Sequence, residues 1–126
     1  MALHRVLPGR AWMAAVATGV ATLGVAATPL DSSATIDRLH GVFAGIGYVT
    51  LAATPFLASG PLRRAGYVKS AAASAVVAAL VLACLGFTVN RAHDGLFQRL
   101  GLTLGDAWLV TAAVAMALRN DKSGVD

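Results

Sequence analysis

A chain of 126 residues that is 57% hydrophobic, 13% charged and +0.70 in mean hydropathy holds more apolar surface than the core of one soluble domain can hide. Its net charge of +4 comes from ten Lys and Arg against six Asp and no Glu, scattered without interleaved aromatics, which excludes the footprint of a nucleic-acid-binding protein. A single cysteine, Cys84, excludes an intrachain disulfide and a thiolate zinc site.

The apolar residues fall into four blocks separated by short charged strips, which is how membrane spans are distributed. The first block, 11–30, reads AWMAAVATGVATLGVAATPL; at 1.5 Å per residue, about 20 uncharged residues cross roughly 30 Å of hydrocarbon. Pro29 and Asp31 close it. A cleaved signal peptide competes for this stretch, because His4, Arg5 and Arg10 precede it and Val25-Ala26-Ala27 resembles a small-residue cleavage site. The apolar run is longer than the roughly 7 to 15 residues of a signal core, which favours a span.

The second block covers about 39–59 and ends at the turn-forming Gly60-Pro61, followed by Arg63 and Arg64. Pro55 is expected to kink it near that end. The third, 70–89, contains no charge and only small polar residues. A charged connection at 90–99 leads to the fourth block, 100–118, which contains Asp106 and runs into the polar tail RNDKSGVD. The expected fold is therefore all-α, a four-helix integral membrane bundle forming one transmembrane domain over 1–126.

Loop charge sets the expected orientation. The N-terminus, the 60–69 loop and the C-terminal tail hold Arg5, Arg10, Arg63, Arg64, Lys69, Arg119 and Lys122, against Arg38, Arg91 and Arg99 on the other side. The positive-inside bias places both termini in the cytoplasm of a cell with this chain in its inner membrane. Trp12 and Tyr67 then fall at interfacial depth, whereas Trp108 lies too deep for an aromatic belt. Small residues four apart, Gly41 and Gly45, Gly101 and Gly105, and Ala15 and Gly19, are positions where helices can approach closely.

The outward end of such a bundle gathers Asp31, Asp37, Arg38, His40, Arg91, His93, Asp94, Gln98, Arg99 and Asp106. Asp37 and His40 share a helix face, and so do Arg99 and Asp106. A carboxylate at the centre of a bilayer costs about 2.5 to 3.5 kcal/mol on insertion scales, so Asp106, one third of the way in, calls for a partner such as Arg99 or His40. Two readings follow: a hydrogen-bonded plug at the wet mouth of the bundle, or a pocket in which Asp106 holds a cation or proton. His40 and His93 lack the His-x-x-x-His and His-Glu-x-x-His spacings of a metal site, so no metal or cofactor is expected. No nucleophile elbow, no phosphate-binding loop and no Glu is available for acid-base work. Ser32, Ser33 and Thr35 read as helix caps rather than nucleophiles.

Pro29-Leu30-Asp31, the Leu39-His40-Gly41 that opens a span, the GLFQR of 95–99 and the Asp106-Ala107-Trp108 of the last block together resemble one bacterial membrane family, domain of unknown function 998. The resemblance covers roughly 23–118, and GLFQR followed about nine residues later by Trp is its most specific part. It implies a multi-span membrane protein, commonly of about six helices, with no established activity. It also implies that the opening helix here corresponds to the third of a longer member, so that two preceding helices are lacking and self-association covers exposed faces. His40, Arg99, Asp106 and Trp108 would be family-level features.

The expected function is that of a non-enzymatic accessory or structural membrane component, binding a partner, a lipid or a small ligand at a polar mouth formed by His40, Arg99, Asp106, Asp37, His93, Asp94 and Trp108. The alternative is a transporter or proton-coupled carrier subunit using Asp106, and a small membrane hydrolase is the third class. Expected partners are the lipid bilayer and a second copy or another membrane protein.

Overall fold

Ala, Val and Leu dominate each apolar block, and all four blocks become helices. The computed structural model describes residues 9–89 and 95–122, and these form α1 (Ala11–Ala27), α2 (Ala34–Arg64), α3 (Val68–Val89) and α4 (Leu96–Lys122). No strand occurs among the described residues. Among the described residues two helices are long and apolar enough to cross a membrane: Ala34–Arg64, with a mean hydropathy of 1.5, and Val68–Thr88, with 2.2. The helix of the first block is apolar but only 17 residues long.

The connection between α1 and α2 is built by specific caps. Thr28 closes α1, its hydroxyl donating to the Gly24 carbonyl at 2.8 Å. Ser33 opens α2 by accepting a hydrogen bond from the Ile36 amide at 3.3 Å, so one of the three candidate capping residues does cap. Between them Asp31 adopts a left-handed backbone with φ 64°, a conformation that Asp tolerates better than most side chains.

The second helix runs past the turn expected at Gly60-Pro61. Both Pro55 and Pro61 lie inside it, and it ends at Arg64. The stop is Gly66, at φ 85°: its amide donates to the Arg63 carbonyl at 3.1 Å, and the Tyr67 amide to the Leu62 carbonyl at 2.9 Å. This is a Schellman motif, which needs a left-handed residue just beyond the helix. With α3 beginning at Val68, α2 and α3 form a tight antiparallel hairpin.

In the bundle α1 packs on α2, α2 on α3 and α3 on α4, with a smaller contact between α2 and α4. Alanine dominates the buried core, joined by Tyr48, Leu51 and Val81. One cluster joins Ala11 and Ala58 to Trp12, Ala15, Leu62 and Trp108, and the other joins Tyr48, Ala52 and Val81 to Val77, Leu85 and Leu104. Many large apolar side chains point outward instead, among them Val20, Leu23, Phe56, Val68, Val110 and Leu118.

Glycine permits the closest helix approaches. A Cβ on Gly105 would lie 2.6 Å from Leu51, one on Gly101 3.0 Å from the Cβ of Cys84, and one on Gly24 2.5 Å from the Phe43 ring. The expected role of Gly101 and Gly105 as a packing pair is thus met, with α2 and α3 as their partners. Gly19, Gly41 and Gly45 have open space where a side chain would stand. Small size alone does not say which face of a helix meets another.

A polar cleft as candidate functional site

Three helix ends converge to form the site: the C-terminal half of α1, the N-terminal half of α2 and the N-terminal half of α4. Between them lies a cleft of about 300 Å³. Thr18, Thr22 and Val25 line it from α1, His40, Phe43, Tyr48 and Leu51 from α2, and Gln98, Leu102 and Asp106 from α4. The cleft exists because α4 packs mainly on α3, touches α2 lightly and so leaves α1 standing apart.

The polar groups around it are mostly engaged with the protein. His40 Nδ1 lies 2.6 Å from the carbonyl oxygen of Thr28. A carbonyl only accepts, so Nδ1 carries the proton, and in the neutral ring Nε2 is the acceptor. Tyr48 is buried, and its hydroxyl donates to the Gln98 carbonyl, tying α2 to the start of α4. Thr22 donates to the Thr18 carbonyl at 2.9 Å. Thr18 Oγ lies 2.9 Å from Thr50 Oγ and 3.0 Å from the Ala14 carbonyl, while Thr50 donates to the Ile46 carbonyl at 2.8 Å.

Asp106 differs. It is exposed and lines the cleft, and among the described residues it has no hydrogen bond or ion pair. Arg99, two turns earlier on α4, is also exposed; it does not line the cleft and makes no ion pair with Asp106. His40 and Asp106 face the same space without touching.

The remaining sequence candidates lie elsewhere. Asp37 is half-buried and accepts from the Asp31 amide at 3.0 Å. Together with the bond from His40 to Thr28, this fastens both ends of the connection between α1 and α2 onto α2. Trp108 points toward α3, its indole N–H donating to the hydroxyl of Ser74 at 3.0 Å. Ser74 in turn donates to the Ser70 carbonyl at 2.8 Å, so a buried hydroxyl gives the deep Trp its polar partner. His93 and Asp94 lie outside the described residues. Among the described residues no three His, Cys or Asp side chains gather as metal ligands would.

Thr18, Thr22 and Tyr48 also belong to the cleft, although no motif or charge in the sequence marks them. Thr18 and Thr22 are one turn apart and therefore share a face of α1. Only the position of α4 reveals that this face is the cleft wall.

The model of the family described as Protein of unknown function (DUF998) matches residues 2–115. The match takes in all of α1 to α3 and most of α4. No curated protein matches the chain, and no solved structure does.

Proposed function

We propose that this chain, which belongs to the family Protein of unknown function (DUF998), is a multi-pass membrane protein that binds a small ligand in the cleft between α1, α2 and α4 and acts as an accessory component rather than an enzyme. All four helices lie in the bilayer, with both termini on the cytoplasmic side of an inner membrane.

Membrane insertion is supported by the inversion of side-chain size: Ala fills the core while Leu, Val and Phe face outward. It is supported too by the hydroxyls of Thr18, Thr22, Thr54, Ser74 and Thr111, which bond carbonyls of their own helices and so need no water. Orientation rests on charge, since Arg10, Arg63, Arg64 and Lys69 share the end of the bundle opposite the cleft.

The observation that carries the binding role is Asp106, a carboxylate without a partner among the described residues, lining a cleft whose other polar groups are mostly satisfied. Such a group in a membrane calls for a counterpart that the described chain does not supply. A partner membrane protein or a second copy would cover the remaining apolar surface. Filling the cleft with Leu102→Trp tests the role in a strain complemented by the gene. Loss of complementation at normal membrane abundance is the expected result, and full complementation would remove the cleft from the function.

The same Asp106, without a partner among the described residues, favours a second reading, a proton-coupled carrier subunit. Uptake into vesicles that depends on a pH gradient and disappears in Asp106→Asn would establish it in place of the accessory role; a co-purified partner without flux would reject it.

A further inference from the structure

The hydrogen-bond inventory of the cleft is one-sided, and this names a class of ligand. Building on the ligand-binding role proposed above, we infer that the cleft holds a protonated primary amine carried on a compact apolar body.

Tyr48 has given its hydroxyl proton to the Gln98 carbonyl, and Thr22 has given its own to the Thr18 carbonyl. Thr18 directs its proton to Ala14 or Thr50. His40 has given its Nδ1 proton to Thr28. With the His40 ring neutral, each of these groups therefore offers a ligand only an acceptor. Asp106 adds two more acceptor oxygens and a negative charge, and no cation lines the cleft among the described residues. Gln98 alone retains side-chain donors.

A wall of acceptors with one carboxylate repels anions and leaves a neutral alcohol with a single proton to share. An alkylammonium brings three donors and the opposite charge, and charge-assisted hydrogen bonds are about twice as strong as neutral ones. Phe43, Val25 and Leu102 provide apolar surface in the same cleft as Asp106. A volume of about 300 Å³ suits a body the size of a phenyl ring with a short chain, at the lower end of small-molecule sites.

The same ammonium chemistry occurs on free amines and on aminophospholipid headgroups, and one experiment separates them. The full chain is placed in nanodiscs of phosphatidylcholine, and binding of phenethylamine, phenethyl alcohol and hydrocinnamate is followed by saturation-transfer NMR. Phenethylamine is expected to bind about tenfold or more tightly than the alcohol, and hydrocinnamate the least. Asp106→Asn should reduce the amine to the level of the alcohol, and Leu102→Trp should abolish both. Displacement of phenethylamine when phosphatidylethanolamine is added to the discs upholds the inference and assigns the lipid as source. Persistence of its binding upholds the inference and assigns a free amine. Equal binding of amine and alcohol, both lost in Leu102→Trp, overturns the amine and leaves the cleft as a ligand site. Binding of none of the three, or binding indifferent to Leu102→Trp, overturns both.

Discussion

Gly101, Gly105 and Trp108 form one stripe of α4, and Gln98, Leu102 and Asp106 form the next, turned by about 100° around the same helix. On the first stripe the backbone of α4 comes so close to Leu51 and Cys84 that glycine carries no Cβ where one would collide, and Trp108 reaches Ser74. The second stripe lines an open cleft, and its Asp106 has no bond among the described residues. Close approach on one face has a consequence on the other. By drawing α4 against α3 and the middle of α2, the glycine stripe withholds it from α1, and the cleft is the space that results. Tightness and vacancy are two outcomes of one packing choice.

The largest test of this contrast is Gly105→Ala. Leu51 is 1% exposed and would meet a new Cβ 2.6 Å away, so a destabilisation of about 1–3 kcal/mol is expected, measured by unfolding in mixed micelles. A neutral result would mean that α4 moves freely against α2 and that the contrast between stripes is illusory. Next comes Ser74→Ala, which leaves the Trp108 indole N–H without its acceptor. A loss of about 0.6–1.7 kcal/mol is expected, and a cycle with Trp108→Phe should show that most of it is shared between the two residues.

Gly45→Ala probes a glycine without neighbours. With nothing within 4 Å of the added Cβ, the change should stabilise α2 by up to about 1 kcal/mol through helix propensity alone. Destabilisation in cells but not in micelles would reveal a partner on that face. The smallest effect is expected for Asp106→Asn, within about 0.5 kcal/mol of the parent in micelles, because no bond within the described residues is lost. A much larger loss would show that Asp106 has a structural partner after all.

The Schellman motif and the expected turn illustrate how far local signals reach. Gly60-Pro61 looks like a stop, yet proline ends a helix only if the chain has somewhere else to go. Gly66, five residues later, supplies the left-handed position that the cap requires. Among the site residues, Asp106 and His40 were legible as polar groups in apolar surroundings, and both line the cleft. Asp37 was legible for the same reason, and it is occupied with the Asp31 amide. Thr18, Thr22 and Tyr48 gave no such signal, because a hydroxyl in an apolar helix reads the same whether it faces a neighbour, a cleft or the outside.

By itself the sequence determined the four helices of the described residues and nearly where three of them run, because each apolar block rich in Ala, Leu and Val between charged strips is long enough to form one helix. It determined also which polar residues needed an explanation. Only the tertiary structure decided which small residues meet another helix, which of two adjacent stripes on α4 is buried, and that Asp106 faces a gap rather than Arg99. Those outcomes depend on the rotation of each helix about its axis. In a bundle with an alanine core and apolar residues all round, hydrophobic patterning fixes that rotation weakly, and the fit of Gly101 and Gly105 against their neighbours fixes it instead.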